Sequence, residues 1–352
     1  MGTFIIRRLG QMLLTALCLT FIVFFMTNLT PNLEKLAKTQ GNFRMSDEAV
    51  NSWLSDRGYL APLPYKFGQW VGVVPGWTNK KTDNDGQTVV TGRCFLAATP
   101  VEDRARFCGV LQGFWGYSSV FKTDVDALVA KRLSATGKLM GFVLLLMVPM
   151  ALIVGILAGM REGSNLDRTL STFSIASTAT PEYVSGVIFI ALLASSKFGI
   201  SPILADWGWI DTKTLFLGSA KKAVEDATFR NFFLPVLTIS LYGMGYIARM
   251  TRASMAEVMT AQYIRTARLK GVSFRNVVMK HALRNALIAP FTVIMLQVPW
   301  LLNGVVIVEY LFAYDGFGRL LVEAARGNDI ELLMAISVVS VILVLLTQLI
   351  SD

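Results

Sequence analysis

Long uncharged runs are the feature of this 352-residue chain that most restricts its fold. A helix needs roughly 20 apolar residues to cross a hydrocarbon core of about 30 Å. Four runs reach this length without a charge, and two weaker segments bring the total to six: 9–33, 139–160, 285–308 and 332–351, then 169–196 and 231–248. With 53% hydrophobic residues, the sequence predicts an all-α polytopic membrane protein with six transmembrane helices.

A basic segment at 249–290 separates two of these runs. It holds eight Lys and Arg residues against one acid, Glu257. Placing eight such cations at the bilayer centre would cost more than ~20 kcal/mol, so the segment is predicted to lie outside the membrane. The eight cations are Arg249, Arg252, Arg265, Arg268, Lys270, Arg275, Lys280 and Arg284.

The distribution of basic residues also predicts the topology. Arg7 and Arg8 precede the first run, whose 25 uncharged residues are too many for a signal-peptide core, so this run is predicted to be a membrane helix. The N-terminal arm, the turn at 161–168 and the basic segment fall on one side of the membrane. The positive-inside rule makes this side cytoplasmic and places both termini there, although five Lys and Arg residues at 197–230 weaken the signal.

The loop at 34–137 is predicted to be a small folded extracytoplasmic insert. It contains Trp53, Trp70, Trp77 and Trp115, whereas a disordered linker would be poor in aromatic residues. Cys94 and Cys108 lie in the same loop and are either a disulfide, which an oxidising compartment permits, or two buried free thiols. The predicted domains are therefore an N-terminal helix at 1–33, the insert at 34–137 and a core of five helices at 138–352.

Within the basic segment, residues 252–287 are predicted to form a helical hairpin. Apolar residues from Met255 to Leu269, including Tyr263, follow helical spacing, and Gly271 then ends the helix. Ser273 is placed to cap a second helix. The hairpin could contact lipid headgroups, or it could dock a cytoplasmic partner; nucleic-acid binding is disfavoured because no reader motif is present.

The run from Tyr263 to Pro290 resembles the cytoplasmic signature of binding-protein-dependent ABC importer permeases, in the oligopeptide, dipeptide and nickel branch. Segments at 4–31 and 305–329 resemble the same family, in its first-permease type with a long outer loop after helix 1. The signature matches are Arg265, Thr266, Ala267, Arg268, Lys270, Gly271, His281, Ala282, Leu283, Arg284, Asn285, Ala286 and Leu287.

The resemblance implies a type I ABC importer permease (MetI-like) fold in a bacterial inner membrane. It implies a second homologous permease subunit as a heterodimer partner, a periplasmic binding protein, and two cytoplasmic ATPase subunits that bind ATP and Mg. The hairpin would be the coupling helix that seats in an ATPase. The residues expected to couple to the ATPase are Tyr263, Arg265, Thr266, Ala267, Arg268, Lys270, Gly271, His281, Arg284 and Asn285.

The chain itself is predicted to be a transport subunit and not an enzyme. Its Gly137-Lys138 pair has Arg132 where a P-loop requires the first glycine. His281 is the only histidine, so no metal site or catalytic residue is predicted from it, and no cofactor is expected in this chain.

Acids and amides inside spans are candidates for the translocation pathway. Glu182 follows Pro181 within the weakest span, and Asn303 lies in the fifth; Glu309 is expected to make a structural contact at the outer interface. The alternative function is a channel or secondary transporter without an ATPase. The resemblance allows peptides, nickel chelates, opines or oligosaccharides as substrates and favours peptides. The Trp-rich insert is expected to meet the binding protein.

Overall fold

The protein is helical throughout its membrane segments in a computed structural model that describes residues 2–82, 88–95, 100, 102 and 104–351. Four helices of the described chain are long and apolar enough to cross a membrane, and two bent helix pairs bring the candidates to six. The four are Ile6–Thr27, Val125–Gly159, Phe229–Thr260 and Ile330–Leu349, and the pairs are Asn165–Ala179 with Glu182–Ala194 and Phe274–Ala286 with Ile288–Gln297. The chain is therefore a multi-pass membrane protein with four to six spans.

The weakest predicted span, at 169–196, is two helices and not one. Helix α6 (Asn165–Ala179) is followed by α7 (Glu182–Phe189), and the axes of the two parts differ by 101°. Proline has no backbone N–H and pushes the preceding residue out of the helical region. Thr180 accordingly has ψ 120° and Pro181 has ψ 143°. The bend follows from Pro181, and Glu182 begins the second helix.

One compact unit comprises Met1–Lys131 and Leu321–Leu346. Its hydrophobic core includes Leu36, Leu54, Trp70 and Met334. In the structure a disulfide joins Cys94 to Cys108, with 5.4 Å between the two Cα atoms. The elements that begin in this unit are α1 (Gly2–Thr27), α2 (Thr30–Gln40), α3 (Asp47–Asp56), α4 (Leu63–Val71), the antiparallel pairs β1 (Thr78–Thr82) with β2 (Thr88–Gly92) and β3 (Tyr117–Ser118) with β4 (Thr123–Asp124), α5 (Val125–Gly159) and α15 (Ile330–Ser351).

The second unit comprises Arg132–Leu320 and Thr347–Asp352. A Cβ atom built on Gly155 would lie 2.4 Å from Thr251 Cβ, so only glycine lets α5 approach α9 this closely. Met147 and Met244 are fully buried in the hydrophobic core of this unit. The helices that begin in this unit are α6 (Asn165–Ala179), α7 (Glu182–Phe189, continued by a π-helical turn at Ile190–Ala194), α8 (Ile200–Asp206), α9 (Phe229–Thr260), α10 (Gln262–Leu269), α11 (Phe274–Asn276), a π-helical segment (Val277–Ala282), α12 (Leu283–Ala286), α13 (Ile288–Leu311) and α14 (Phe317–Gly327).

Candidate functional site

The basic hairpin begins with a break that the sequence does not predict. A single helix was expected from Met255 to Leu269, but α9 ends at Thr260 and α10 starts at Gln262. Ala261 between them has ψ 147°, an extended conformation. The end of α10 is as predicted, because Gly271 has φ +77°, in the left-handed region that glycine adopts without strain.

A small apolar cluster fixes α10 against its neighbours. Ile264 and Ala267 are the buried residues of α10, and they pack with Met255, Val277 and Val278. Tyr263 and Leu269, which continue the helical spacing in the sequence, are not part of this cluster, and both side chains are exposed. The break at Ala261 resets the helical phase, so residues beyond it no longer continue the buried stripe of α9.

The remaining signature residues of the hairpin mostly face outward. The Ser273 side chain accepts no capping hydrogen bond, contrary to the prediction, although α11 starts immediately after it. Asn285 Nδ2 donates to the Tyr263 hydroxyl at 2.9 Å and connects the two arms of the hairpin. Exposed residues of the predicted set are Tyr263, Arg265, Thr266, Arg268, Lys270, Gly271, His281, Arg284 and Asn285, whereas Ala267 is buried.

We define the docking face as Tyr263, Arg265, Arg268, Leu269 and Lys270. The Leu269 side chain is 81% exposed although it sits among three cations. Hot spots of protein interfaces are enriched in tyrosine and arginine, and Tyr263, Arg265 and Arg268 place both residue types on this face. The docking face therefore has the chemistry of a protein-binding surface.

A buried ion pair holds α9 against the start of α6. Arg252 Nη2 donates to Asp167 Oδ2 at 2.8 Å, and Arg252 Nε donates to Asp167 Oδ1. Asp167 also accepts from the Gly163 N–H at 2.8 Å and from the Ser171 hydroxyl at 3.0 Å. Its side chain is 3% exposed. The sequence marked Arg252 only as one of eight cations, because its partner lies 85 residues away.

Removing one member of this pair is expected to destabilise the permease. Arg252→Gln leaves a buried carboxylate without its cation, at a cost of about 3 kcal/mol. Asp167→Asn in the same background should recover part of that loss, so the two effects are expected to be non-additive in thermal unfolding of the purified protein. Arg265→Gln, at an exposed arginine, is the matched control and should leave the Tm unchanged. Additive losses in the double variant would contradict a coupled pair.

A polar groove of about 670 Å³ lies among α6, α9 and α13. Its walls include Tyr242, Tyr246 and Arg249 on α9 and Gln297 and Trp300 on α13. The Tyr242 and Trp300 rings stack with centroids 4.7 Å apart. Aromatic walls with a few polar groups are typical of small-molecule sites. The sequence does not mark these residues, because tyrosine and tryptophan within a span give no signal that separates a groove from a core.

The predicted pathway residues do not line this groove in the described part of the chain. Pro181 is exposed at the bend between α6 and α7. Glu182 is buried, and its carboxylate has no hydrogen-bond partner among the residues that the structure describes. Asn303 lies on α13, but its side chain is outside the described residues. Thr178 and Ala179, just before the bend, are the residues of this region that reach the groove.

A multi-pass helical chain with an exposed basic hairpin between two spans and a polar groove among its helices has the architecture of a transport permease. Residues 151–352 match the family described as "Binding-protein-dependent transport system inner membrane component", and the chain belongs to that family. It is a permease subunit of an ABC importer, with the MetI-like helical fold.

Named relatives extend the similarity beyond residues 151–352. The oligopeptide transport system permease protein AppB of Bacillus subtilis is 32% identical over 69% of this chain and 74% of its own length. The di/tripeptide transport system permease protein DppB of Pseudomonas aeruginosa is 30% identical over 94% of this chain and 89% of its own. A probable peptide ABC transporter permease, y4tP of Sinorhizobium fredii, is 28% identical over 100% of this chain and 96% of its own length. The similarity therefore includes the insert at 34–137 in the last two relatives.

Proposed function

We propose that this permease subunit imports short peptides that a periplasmic binding protein delivers. The relatives are described as oligopeptide, di/tripeptide and peptide permeases, which supports this substrate class. In this proposal the chain crosses the bacterial inner membrane six times, with both bent helix pairs as spans and both termini in the cytoplasm. The Trp-rich insert at 34–137 faces the periplasm and meets the binding protein. Residues 1–33 and 138–352 supply the membrane helices.

The proposed assembly contains a second homologous permease, which completes the translocation pathway, and two cytoplasmic ATPase subunits. ATP and Mg bind to those subunits, so hydrolysis is their reaction. The observation that carries the proposal is the docking face, where Leu269 is exposed among cations beside a hairpin packed on Met255. ATPase closure would displace this hairpin and bias the permease between inward and outward states.

Helix α9 supplies the mechanical connection from the docking face to the groove. Met255 contacts α10, while Tyr242 and Tyr246 line the groove on the same uninterrupted helix. The 13 residues from Tyr242 to Met255 correspond to about 20 Å at 1.5 Å per residue. A helix of this length transmits a displacement of its end as a rigid body, so motion of the hairpin would reshape the groove. Pro181, Glu182 and Asn303 remain proposed pathway residues.

Charge reversal at Arg268 tests the coupling role. Arg268→Glu is expected to abolish ATP-dependent peptide uptake and co-purification of the ATPase, because it puts an acid on the docking face. Lys222→Glu is the matched control, since Lys222 is equally exposed but precedes α9 at its opposite end. Gly271→Pro is a second variant, because proline cannot adopt φ +77°. Retained ATP-dependent uptake in both hairpin variants would refute coupling, and uptake without ATP would favour a channel or secondary transporter.

A further inference from the structure

A cavity of about 270 Å³ in the first compact unit has features of a ligand site. Aromatic side chains form much of its wall, including Trp70, Trp77, Phe114 and Tyr117. All of its lining residues belong to that one unit, with the outer insert supplying most of them and the ends of α1 and α15 the rest. The cavity is thus separate from the groove among α6, α9 and α13.

The cavity lining is rich in cations. Arg57, Lys66 and Arg93 contribute three positive charges, and Glu331 contributes one negative charge, which gives a net charge of +2. Arg93 binds Glu331 through both terminal nitrogens, at 3.1 Å and 3.4 Å. Lys66 Nζ donates to Asn28 Oδ1 at 3.2 Å and to the Tyr59 carbonyl at 2.9 Å. The third ammonium proton of Lys66 is left for another acceptor.

Two buried N–H donors of the cavity lining have no acceptor within the described residues. One is the Trp70 indole Nε1, on a residue that is 5% exposed, and the other is Arg93 Nε. A buried donor without an acceptor is unfavourable, so native proteins rarely keep one unless a water or ligand accepts from it. Burial also lowers the pKa of Lys66, because desolvation penalises its ammonium form, and a nearby anion would offset that penalty.

These groups select a particular ligand chemistry. Two donors without acceptors and a net positive charge favour an anionic acceptor, and a carboxylate can accept from two donors at once. The aromatic walls need an apolar group attached to that carboxylate. We propose that this cavity binds a small carboxylate carrying an apolar group, with Trp70 Nε1 and Arg93 Nε donating to its oxygens. The C-terminal residue of a short peptide has this chemistry, and that choice of ligand rests on the proposed peptide function.

Binding of L-alanyl-L-phenylalanine to the purified transporter complex, measured by isothermal titration calorimetry, tests the site. L-alanyl-L-phenylalanine amide differs only in its lost carboxylate and is expected to bind at least about tenfold more weakly. Trp70→Phe removes the indole N–H donor and keeps an aromatic ring, so it should weaken binding of L-alanyl-L-phenylalanine about tenfold or more. Trp209→Phe is the matched control, because Trp209 is exposed and does not line the cavity, so the affinity should stay within about twofold.

A second variant separates ligand binding from folding of the insert. Arg93→Lys keeps a cation beside Glu331 but lacks the Nε–H donor. It should therefore weaken binding of L-alanyl-L-phenylalanine and leave the weak binding of the amide unchanged. Equal binding of acid and amide, or wild-type affinity in both Trp70→Phe and Arg93→Lys, would overturn the proposal. Peptide binding is measured without ATP. A negative binding result would therefore not contradict coupling at Arg268, and a loss of coupling would leave the peptide affinity unchanged.

Discussion

Leu269→Asp is expected to abolish ATP-driven uptake while the permease stays folded in the membrane. The Leu269 side chain is 81% exposed, so its replacement removes no packing within the chain. Truncating an apolar anchor at the centre of an interface typically costs about 2–4 kcal/mol, or roughly 30- to 1,000-fold in affinity. An aspartate among the cations of the docking face would also neutralise part of its charge. The measurement is ATPase co-purification together with peptide uptake in proteoliposomes.

Leu111→Asp is the control for this prediction. Leu111 is 69% exposed in the insert at 34–137, so the substitution and the degree of exposure are closely matched. The ATPase should co-purify normally with Leu111→Asp and be lost with Leu269→Asp. An unchanged Tm in both variants would show that neither unfolds the permease. If the ATPase co-purifies normally with Leu269→Asp, Leu269 does not contact it, and the contact would rest on the other residues of the docking face.

Local sequence signals predicted the hairpin better than they predicted its exposed surface. Gly271 and Ser273 mark the turn, because a positive φ and a helix start depend on single residues. The break at Ala261 has no such marker, since alanine is the best helix former and its extended conformation comes from tertiary packing. One unpredicted break rotates every later residue, which is why Leu269 does not continue the buried stripe of α9.

Long-range contacts could not be predicted from the sequence, for a different reason. Hydrophobic run length predicts spans because the bilayer thickness sets it, and four of the runs correspond to whole helices or parts of them. The Asp167 and Arg252 pair, and the groove formed by Tyr242 and Trp300, join residues 58 to 85 positions apart. Spacing along the chain carries no information about such pairs.

In the turn after α13, one buried carboxylate contacts several residues that are distant in the sequence. Glu309 is fully buried and accepts from the Thr136 hydroxyl and from the Arg319 N–H at 2.9 Å. A Cβ on Gly316 would lie 2.0 Å from Glu309 Oε1, so a glycine is required there. The sequence expected Glu309 to make a structural contact near the membrane surface. Its contacts are structural, because they connect α13 to α5 and to the start of α14.

Glu309→Leu is accordingly expected to destabilise the permease more than any other substitution considered above. It leaves the Thr136 hydroxyl and the Arg319 N–H without their acceptor, and each such buried donor costs about 1–3 kcal/mol. Glu309→Gln keeps one acceptor oxygen, so its Tm in detergent should fall between those of Glu309→Leu and the wild type. Glu225→Leu removes an exposed acid and should shift stability by less than about 0.5 kcal/mol. If Glu309→Leu unfolds at the wild-type temperature, the carboxylate does not hold this turn, and the glycine at position 316 would need another explanation.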